Sequence, residues 1–382
     1  MKKKNGRGKK TGAVIFRITV SVLTALVLIV GFILSGVAVI NYGPSRTARD
    51  LFVVSMLETS AAKFLATWYF TPEAIDSILA ENAVIADTGV SNPDLINIKP
   101  VTQQTTDEDV IFPGEVVIGD TDALTAPETT PPDTEPYETV TRPVTTEKPP
   151  EDDNVVYGDG LEIHDVSGPT FYGKMMIVYD PSRLFVGVSG DYSKGDPGRT
   201  IYQITKSYGA TAALNGGGFE DRNGTGDGGI PIGLVITEGK LVWGNKSTSY
   251  EVIGFNRDNV FIVGTMTGQQ ALDAGIRDAI AFGPVLVMNG KASTVKGAGS
   301  GLNPRSAIGQ RADGAVLLLA IDGRRPDSLG ATYADLIDIM LEFGAVNAAN
   351  LDGGNSTGLV YKGSLVNKGL FFRGLPTCFL VR

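Results

Sequence analysis

Apolar and polar positions follow different periods in successive stretches of the chain. Ile18 to Ile40 is an uncharged, apolar run of 23 residues preceded by Lys2, Lys3, Lys4, Arg7, Lys9, Lys10 and Arg17. At a helical rise of about 1.5 Å per residue such a run spans the ~30 Å core of a bilayer with some tilt. The basic flank puts the N-terminus in the cytoplasm and the rest of the chain outside. A signal peptide shares this polarity, and Ser35-Gly36-Val37-Ala38 is the nearest approach to a cleavage site, but the run exceeds an ordinary signal core. The expectation is an uncleaved single-pass anchor.

From Ser45 to Tyr69, Leu51, Val54, Leu57, Ala61, Phe64, Leu65 and Trp68 recur at helical spacing. Thr71-Pro72-Glu73 has the form of an N-cap with proline at the first helical position, predicting a second helix to about Asn82. The period is then lost. Thr, Pro, Glu and Asp dominate from about Thr102 to Asn154, a composition that cannot bury enough apolar surface to fold. Extended at ~3.1 Å per residue, about 50 residues would reach on the order of 150 Å, enough to carry a domain into a thick wall.

Period-two and wholly apolar runs follow. They predict strands at Lys174–Asp180, Leu184–Val188, Thr211–Leu214, Pro231–Thr237, Lys240–Trp243, Val252–Phe255, Val260–Gly264 and within Gly283–Gly290, with a helix over Arg199–Tyr208 closed by Gly209. Ala315 to Ile321 reads as a strand buried on both faces. Thr332 with Asp335 has capping-box form, Leu336, Ile339, Met340 and Phe343 share one helical face, and Asn347 to Leu351 is the returning strand. The expected architecture is a mixed α/β (α+β) fold, with a mixed sheet and helices behind an N-terminal transmembrane helix. Its expected division is 1–17 basic cytoplasmic tail, 18–40 membrane helix, 41–101 membrane-proximal helical stalk, 102–154 disordered linker and 155–382 folded domain.

Two stretches share an order of features. Val186-Gly187-Val188, a helix from Gly198-Arg199-Thr200, and Asn215-Gly216-Gly217 are echoed by Leu318 to Asp322, a helix from Gly330-Ala331-Thr332, and Asp352-Gly353-Gly354. They predict two related strand–helix–strand units around one cleft. A crossover of this length makes its two strands parallel, so Asp322 and Asp352 should emerge at one sheet edge, where ligands bind in α/β proteins.

Composition narrows the chemistry. A single cysteine (Cys378) removes disulfide frameworks and Cys-rich zinc sites, and a single histidine (His164) argues against most His-based metal sites and triads. Of the net charge of −9, residues 1–17 carry +7, which leaves −16 elsewhere and argues against nucleic acid as a partner. Carboxylates must carry the acid/base work, and Arg305, Arg324 and Arg325 in the same loops supply guanidinium groups suited to phosphate oxygens. Paired glycines after each carboxylate permit close approach of a ligand. Asn215 and Asn355 have amides suited to sugar hydroxyls.

At Asn215-Gly216-Gly217-Gly218-Phe219, Gly283-Pro284, Asn303-Pro304-Arg305-Ser306-Ala307-Ile308-Gly309, Asp322-Gly323-Arg324 and Asp352-Gly353-Gly354-Asn355-Ser356 the chain resembles the phosphodiester glycosidase family. The matching pieces fall in order across residues 165–382. Glu220-Asp221 stands where an aromatic is common in that family, and Asn355 where Gly or Ser is common. The resemblance implies hydrolysis of a sugar-1-phosphodiester at the anomeric carbon, with cell-wall or exopolysaccharide glycans as the substrate class. It implies Asp322, Asp352 and Arg305 as catalytic residues. Asn215, Gly216, Gly217, Arg324, Gly353, Gly354, Asn355 and Ser356 would bind substrate. Asp352 or Asp322 would direct water or stabilise an oxocarbenium-like transition state, and Arg305 with Arg324 would clamp the phosphate. No cofactor is expected, although Asp and backbone oxygens leave a place for a divalent cation such as calcium, without a dedicated loop. A phosphodiesterase cutting the P–O bond and a non-catalytic envelope glycan-binding module are the competing readings.

Overall fold

The computed structural model describes residues 6–59, 62–98, 159–221, 226–369 and 373–382. The linker expected over 102–154 lies outside the described residues, as do Lys2, Lys3 and Lys4.

Helix α1 (Gly6–Tyr42) contains the apolar run, and its portion Val14–Tyr42 is long and apolar enough to cross a membrane, a test that a signal sequence also passes. The single helix expected over 45–69 is instead two, α2 (Arg46–Leu57) and α3 (Phe64–Thr67). Ser45 caps α2 through Oγ, which accepts from the Ala48 N–H, and Thr71 caps α4 (Pro72–Glu81) in the same way. Val53, Val54, Ala66 and Ile78 form a small core among these helices.

In chain order the remaining elements are β1 (Val84–Ile85), β2 (Leu161–Gly168), β3 (Phe171–Val178), β4 (Leu184–Val188), α5 (Ile201–Ser207) and β5 (Ala212–Asn215). Next come β6 (Val235–Thr237), β7 (Lys240–Trp243), β8 (Ser249–Asn256), β9 (Phe261–Thr267), α6 (Gly268–Asp273) and β10 (Ile276–Ala281). They are followed by β11 (Val285–Met288), β12 (Lys291–Ala292), β13 (Thr294–Val295), β14 (Arg305–Arg311), β15 (Val316–Ile321), α7 (Tyr333–Glu342) and β16 (Ala345–Leu351). The chain closes with β17 (Leu359–Tyr361), β18 (Ser364–Leu365) and β19 (Thr377–Val381).

Three larger sheets share one core. Their orders are β7-β6-β10-β8-β9, β12-β11-β16-β14-β15-β3-β2 and β18-β17-β5-β19-β4. Val316, Leu318 and Ala320 of β15 face that core, with Ile253, Phe255, Phe261, Leu214 and Phe379 from the other two sheets. The alternate residues Leu317, Leu319 and Ile321 pack under Leu336, Ile339 and Met340 of α7. Burial on both faces explains why β15 is a continuous apolar run.

The two echoing units have one topology. Strands β15 and β16 are both antiparallel to β14, so they run parallel to each other with β14 between them. Strands β4 and β5 stand in the same relation to β19. The correspondence continues outward, since β16 pairs with the hairpin β11-β12 as β5 pairs with β17-β18. The expected parallel direction is present, but no parallel ladder forms among the described strands, because a third strand occupies each gap.

The segment expected to be a stalk is built into the domain. Strand β1 pairs with β13, and the Val263 N–H donates to Ser91 Oγ at 3.0 Å. The Asn97 N–H donates to the Ala312 carbonyl at 2.7 Å, and the Leu302 N–H to Ser55 Oγ at 2.8 Å. Residues 1–99 and 154–382 form one compact unit. The segment 100–153 is therefore an insertion that leaves and rejoins a single unit. It does not lead from an anchor to a distant domain, which removes the expected reach into a wall.

Candidate functional site

Parallel direction brings the ends of β15 and β16 to one edge, and the loops beyond them meet Asn303-Pro304. Close approach demands glycine here: a Cβ on Gly323 would lie 2.6 Å from Pro304 N, and one on Gly353 would lie 2.7 Å from the Pro304 carbonyl oxygen. A shallow open cleft follows, lined by Asp322, Arg324, Asn355, Thr357, Asn367 and Lys368 among others. A second hollow, lined by Ser356, Gly358 and Arg373, adjoins it through Asn355 and Thr357.

Asp352 is half-buried at the start of the second loop. Its Oδ1 accepts from the Gly353 N–H at 3.0 Å, and Ser356 also donates to the carboxylate. Burial dominates these contacts and the nearby Arg373, pushing the carboxyl up to about 6. Asp322 is buried, and its Oδ1 accepts from Asn367 Nδ2 at 3.1 Å and from the Lys368 N–H at 2.7 Å. Burial raises its pKa too, against those hydrogen bonds and the charge of Arg325. The two carboxylates thus share an edge but hold different partners.

The arginines also divide. Arg305 begins β14 and is 4% exposed. Its Nε donates to the Ala331 carbonyl, its Nη2 to the Ser300 and Gly301 carbonyls and to Ser300 Oγ, and the guanidinium stacks 4.5 Å from the centre of the Tyr333 ring. Its ion-pair partner is Glu58, with Nη2 to Oε2 at 2.9 Å. Arg324, held at φ +56°, is only partly buried and makes longer contacts. Nη1 donates to Asn355 Oδ1 at 3.3 Å, and Nη2 donates to the Glu58 carbonyl at 3.3 Å and Asn303 Oδ1 at 3.1 Å. Its Nε is buried without a protein partner, and the guanidinium feels the charges of both Glu58 and Asp352. Arg325 is spent on a two-point ion pair with Asp327.

Three residues expected at the ligand lie inside the scaffold. Asn215 is fully buried; its Nδ2 donates to the Asp352 carbonyl at 2.6 Å, and its Oδ1 accepts from Ser306 Oγ at 2.6 Å and from the Gly358 N–H at 3.1 Å. Gly216 and Gly217 are buried against Thr377, and the Gly216 carbonyl accepts from the Asp352 N–H. These residues lock the two units together beneath Asp352, with their polar groups committed. Ser356 is buried and serves Asp352, Gly354 and Asn355 border the opening, and Gly353 lies against Pro304. Among the described residues no group of three or more His, Cys, Asp or Glu side chains could hold a metal ion.

Glu58 went unseen in the sequence. It caps the C-terminus of α2, and its carboxylate accepts from Arg305 and from Asn303 Nδ2 at 2.8 Å. Loss of solvation at the carboxyl tip raises its pKa against the pull of Arg305 and Arg324. A Glu at a helix end has no signature of its own, and its partner Asn303 lies 245 residues away. Lys368, Asn367 and Arg373 were missed for the same reason.

Residues 208–382 match the family model described as phosphodiester glycosidase. That segment holds every residue that lines the cleft. The chain is 30% identical over 200 residues to the SPbeta prophage-derived uncharacterized protein YomE of Bacillus subtilis (strain 168), covering 49% of this chain and 29% of that protein. It is 26% identical over 223 residues to N-acetylglucosamine-1-phosphodiester alpha-N-acetylglucosaminidase of Mus musculus, covering 52% of this chain and 42% of the mouse protein. The alignments thus span less than half of these two relatives. A solved structure of the zebrafish N-acetylglucosamine-1-phosphodiester alpha-N-acetylglucosaminidase catalytic domain, auto-inhibited by its pro-peptide, superposes with a TM-score of 0.48 at 21% identity, over 58% of this chain and 82% of that one.

Proposed function

We propose that the protein is a membrane-anchored, extracellular hydrolase that cleaves sugar-1-phosphodiesters at the anomeric carbon, acting on glycans of the cell envelope. The observation that carries this reading is Arg324 in the wall of a family-matched cleft, within electrostatic reach of the raised carboxyl of Asp352. Arg324 lines the cleft, and its Nη contacts are long enough to exchange for a phosphate. In the proposed step the C1–O bond breaks and the phosphomonoester departs with the electron pair. Such a leaving group is a stable anion and needs little protonation. Water adds to C1, and Asp352 in its carboxylate form accepts the proton or stabilises the cationic sugar. Asp322 and Lys368 line the other wall of the cleft, and Asn355 borders the hydroxyl-binding side. Arg305 acts behind Arg324 by setting the local positive field.

For the anchor, Leu34, Val37, Ala38 and Asn41 of α1 recur at helical spacing as its covered face, so removal of α1 would strip contacts from the folded unit. The test uses the full chain in nanodiscs with methyl diesters of the 1-phosphates of N-acetylglucosamine, N-acetylgalactosamine, glucose and mannose, in H₂¹⁸O. Label in the released sugar is the expected result. Label in the phosphate would make the protein a phosphodiesterase, and binding without turnover would make it a glycan-binding module.

A further inference from the structure

The exposure of α1 changes abruptly along its length. Every residue from Val14 to Ile33 is exposed, and the first covered positions are Leu34, Val37, Ala38 and Asn41. Twenty exposed residues rise about 30 Å, the thickness of a bilayer's hydrocarbon core. The covered face beyond them turns toward α2 and Tyr69, whose hydroxyl donates to the Leu34 carbonyl at 3.1 Å. The helical cluster therefore begins where the membrane core would end.

Beyond that level, toward the C-terminal end of α1, lies a set of exposed aromatics. Trp68 and Tyr42 are each 69% exposed and Phe64 is 42% exposed. Phe64 packs against Trp68 with ring centres 4.7 Å apart and planes tilted by 57°, and Tyr42 meets Tyr69 at 6.0 Å. Large aromatic rings left in water cost free energy, whereas at the headgroup layer of a bilayer they bury their apolar faces and keep their polar tips wet. Continuity with α1 identifies the occupant of this patch as the bilayer that α1 crosses.

The same helices reach into the cleft. Glu58 caps α2, which rises about 18 Å from Ser45. With the short connection from Tyr42, Glu58 and the Arg305 and Arg324 that it contacts lie at most on the order of 30 Å from the end of α1. We propose that the aromatic patch seats the domain on the outer membrane surface, and that the cleft takes a sugar-1-phosphodiester whose aglycone is anchored in the same bilayer. This rests on the anchor and the glycosidase reading above. A cleft held that close meets lipid-linked phosphodiesters at a high effective concentration, whereas polymer far out in a wall lies beyond its reach.

The experiment uses the full chain carrying W243F, which leaves Trp68 as its single tryptophan, in nanodiscs. Each sugar-1-phosphate of the panel is offered as a dioleoylglycerol diester in the same disc, as that lipid in protein-free discs, and as the soluble methyl diester. Turnover at least tenfold faster in the same disc than for the methyl diester, with the gain lost in separate discs, is expected. Equal or faster turnover of the methyl diester overturns the substrate class while leaving the glycosidase reading intact. Absence of turnover in every form overturns that reading, and Trp68 fluorescence then decides the placement alone. Quenching by lipids brominated on the acyl chain is expected. Quenching by aqueous acrylamide only would overturn the membrane seat.

Discussion

Asp352 carries opposing demands. An unfolded Asp titrates near 3.8, whereas here the carboxyl is pushed up to about 6. Between those values the folded form holds a proton that the unfolded form has released, so stability falls as pH rises from about 4 to about 6 and is flat above. Asp352→Asn keeps the shape and removes the charge. It should lower turnover about 10³-fold and raise stability above pH 6 by on the order of 2–3 kcal/mol, a gain that disappears near pH 4. Thermal melts at pH 4 and pH 8 with paired turnover assays check both. Wild-type activity should show an acid limb near pH 6. A melting difference equal at both pH values would mean that the carboxyl is not held high. Glu58 poses a related question, since its charge competes with any anion for Arg305 and Arg324. Glu58→Gln should tighten binding of inorganic phosphate about tenfold, or about 1.4 kcal/mol, measured by calorimetry. Unchanged affinity would place the anion site away from this arginine pair.

Single elements obey local rules, and their joints do not. The capping boxes at Thr200 and Thr332 and the left-handed Gly209 and Gly344 mark helix ends that the sequence announces. Strands β14 and β19 carry no comparable signal of their place, yet each fills the gap between a pair of parallel strands and thereby sets the cleft. Asn215 shows the consequence. As a polar residue before glycines it suggests a sugar ligand, but the fold uses it to bridge β5, β14 and the Asp352 loop. Asn215→Ala should cost about 2–4 kcal/mol, since three buried partners lose their bonds. The folded fraction should keep its KM for the methyl diester. A raised KM with an unchanged melting temperature would restore the role suggested by its sequence context.

At the scale of the whole molecule, the insertion of residues 100–153 into one unit is the feature with the widest effect. Limited proteolysis within that segment should yield two fragments that co-elute from a sizing column in detergent and keep the melting temperature of the intact chain. They should part only in denaturant, because β1, Ser91 and Asn97 bind the C-terminal fragment by strand pairing and backbone hydrogen bonds. Separation without denaturant would make residues 46–98 a free stalk after all.

The membrane-length run, the helix caps, the doubly buried β15, the related strand–helix–strand units and the family motifs were all determined by the sequence. Each rests on residues a few positions apart, where period and cap chemistry act. Only the tertiary structure decided that Glu58 meets Arg305, that Arg305 and Asn215 are enclosed while Arg324 faces the opening, and that the supposed stalk is part of the domain. Those outcomes depend on contacts between residues hundreds of positions apart, which arise when three sheets close on one core and no local pattern encodes them.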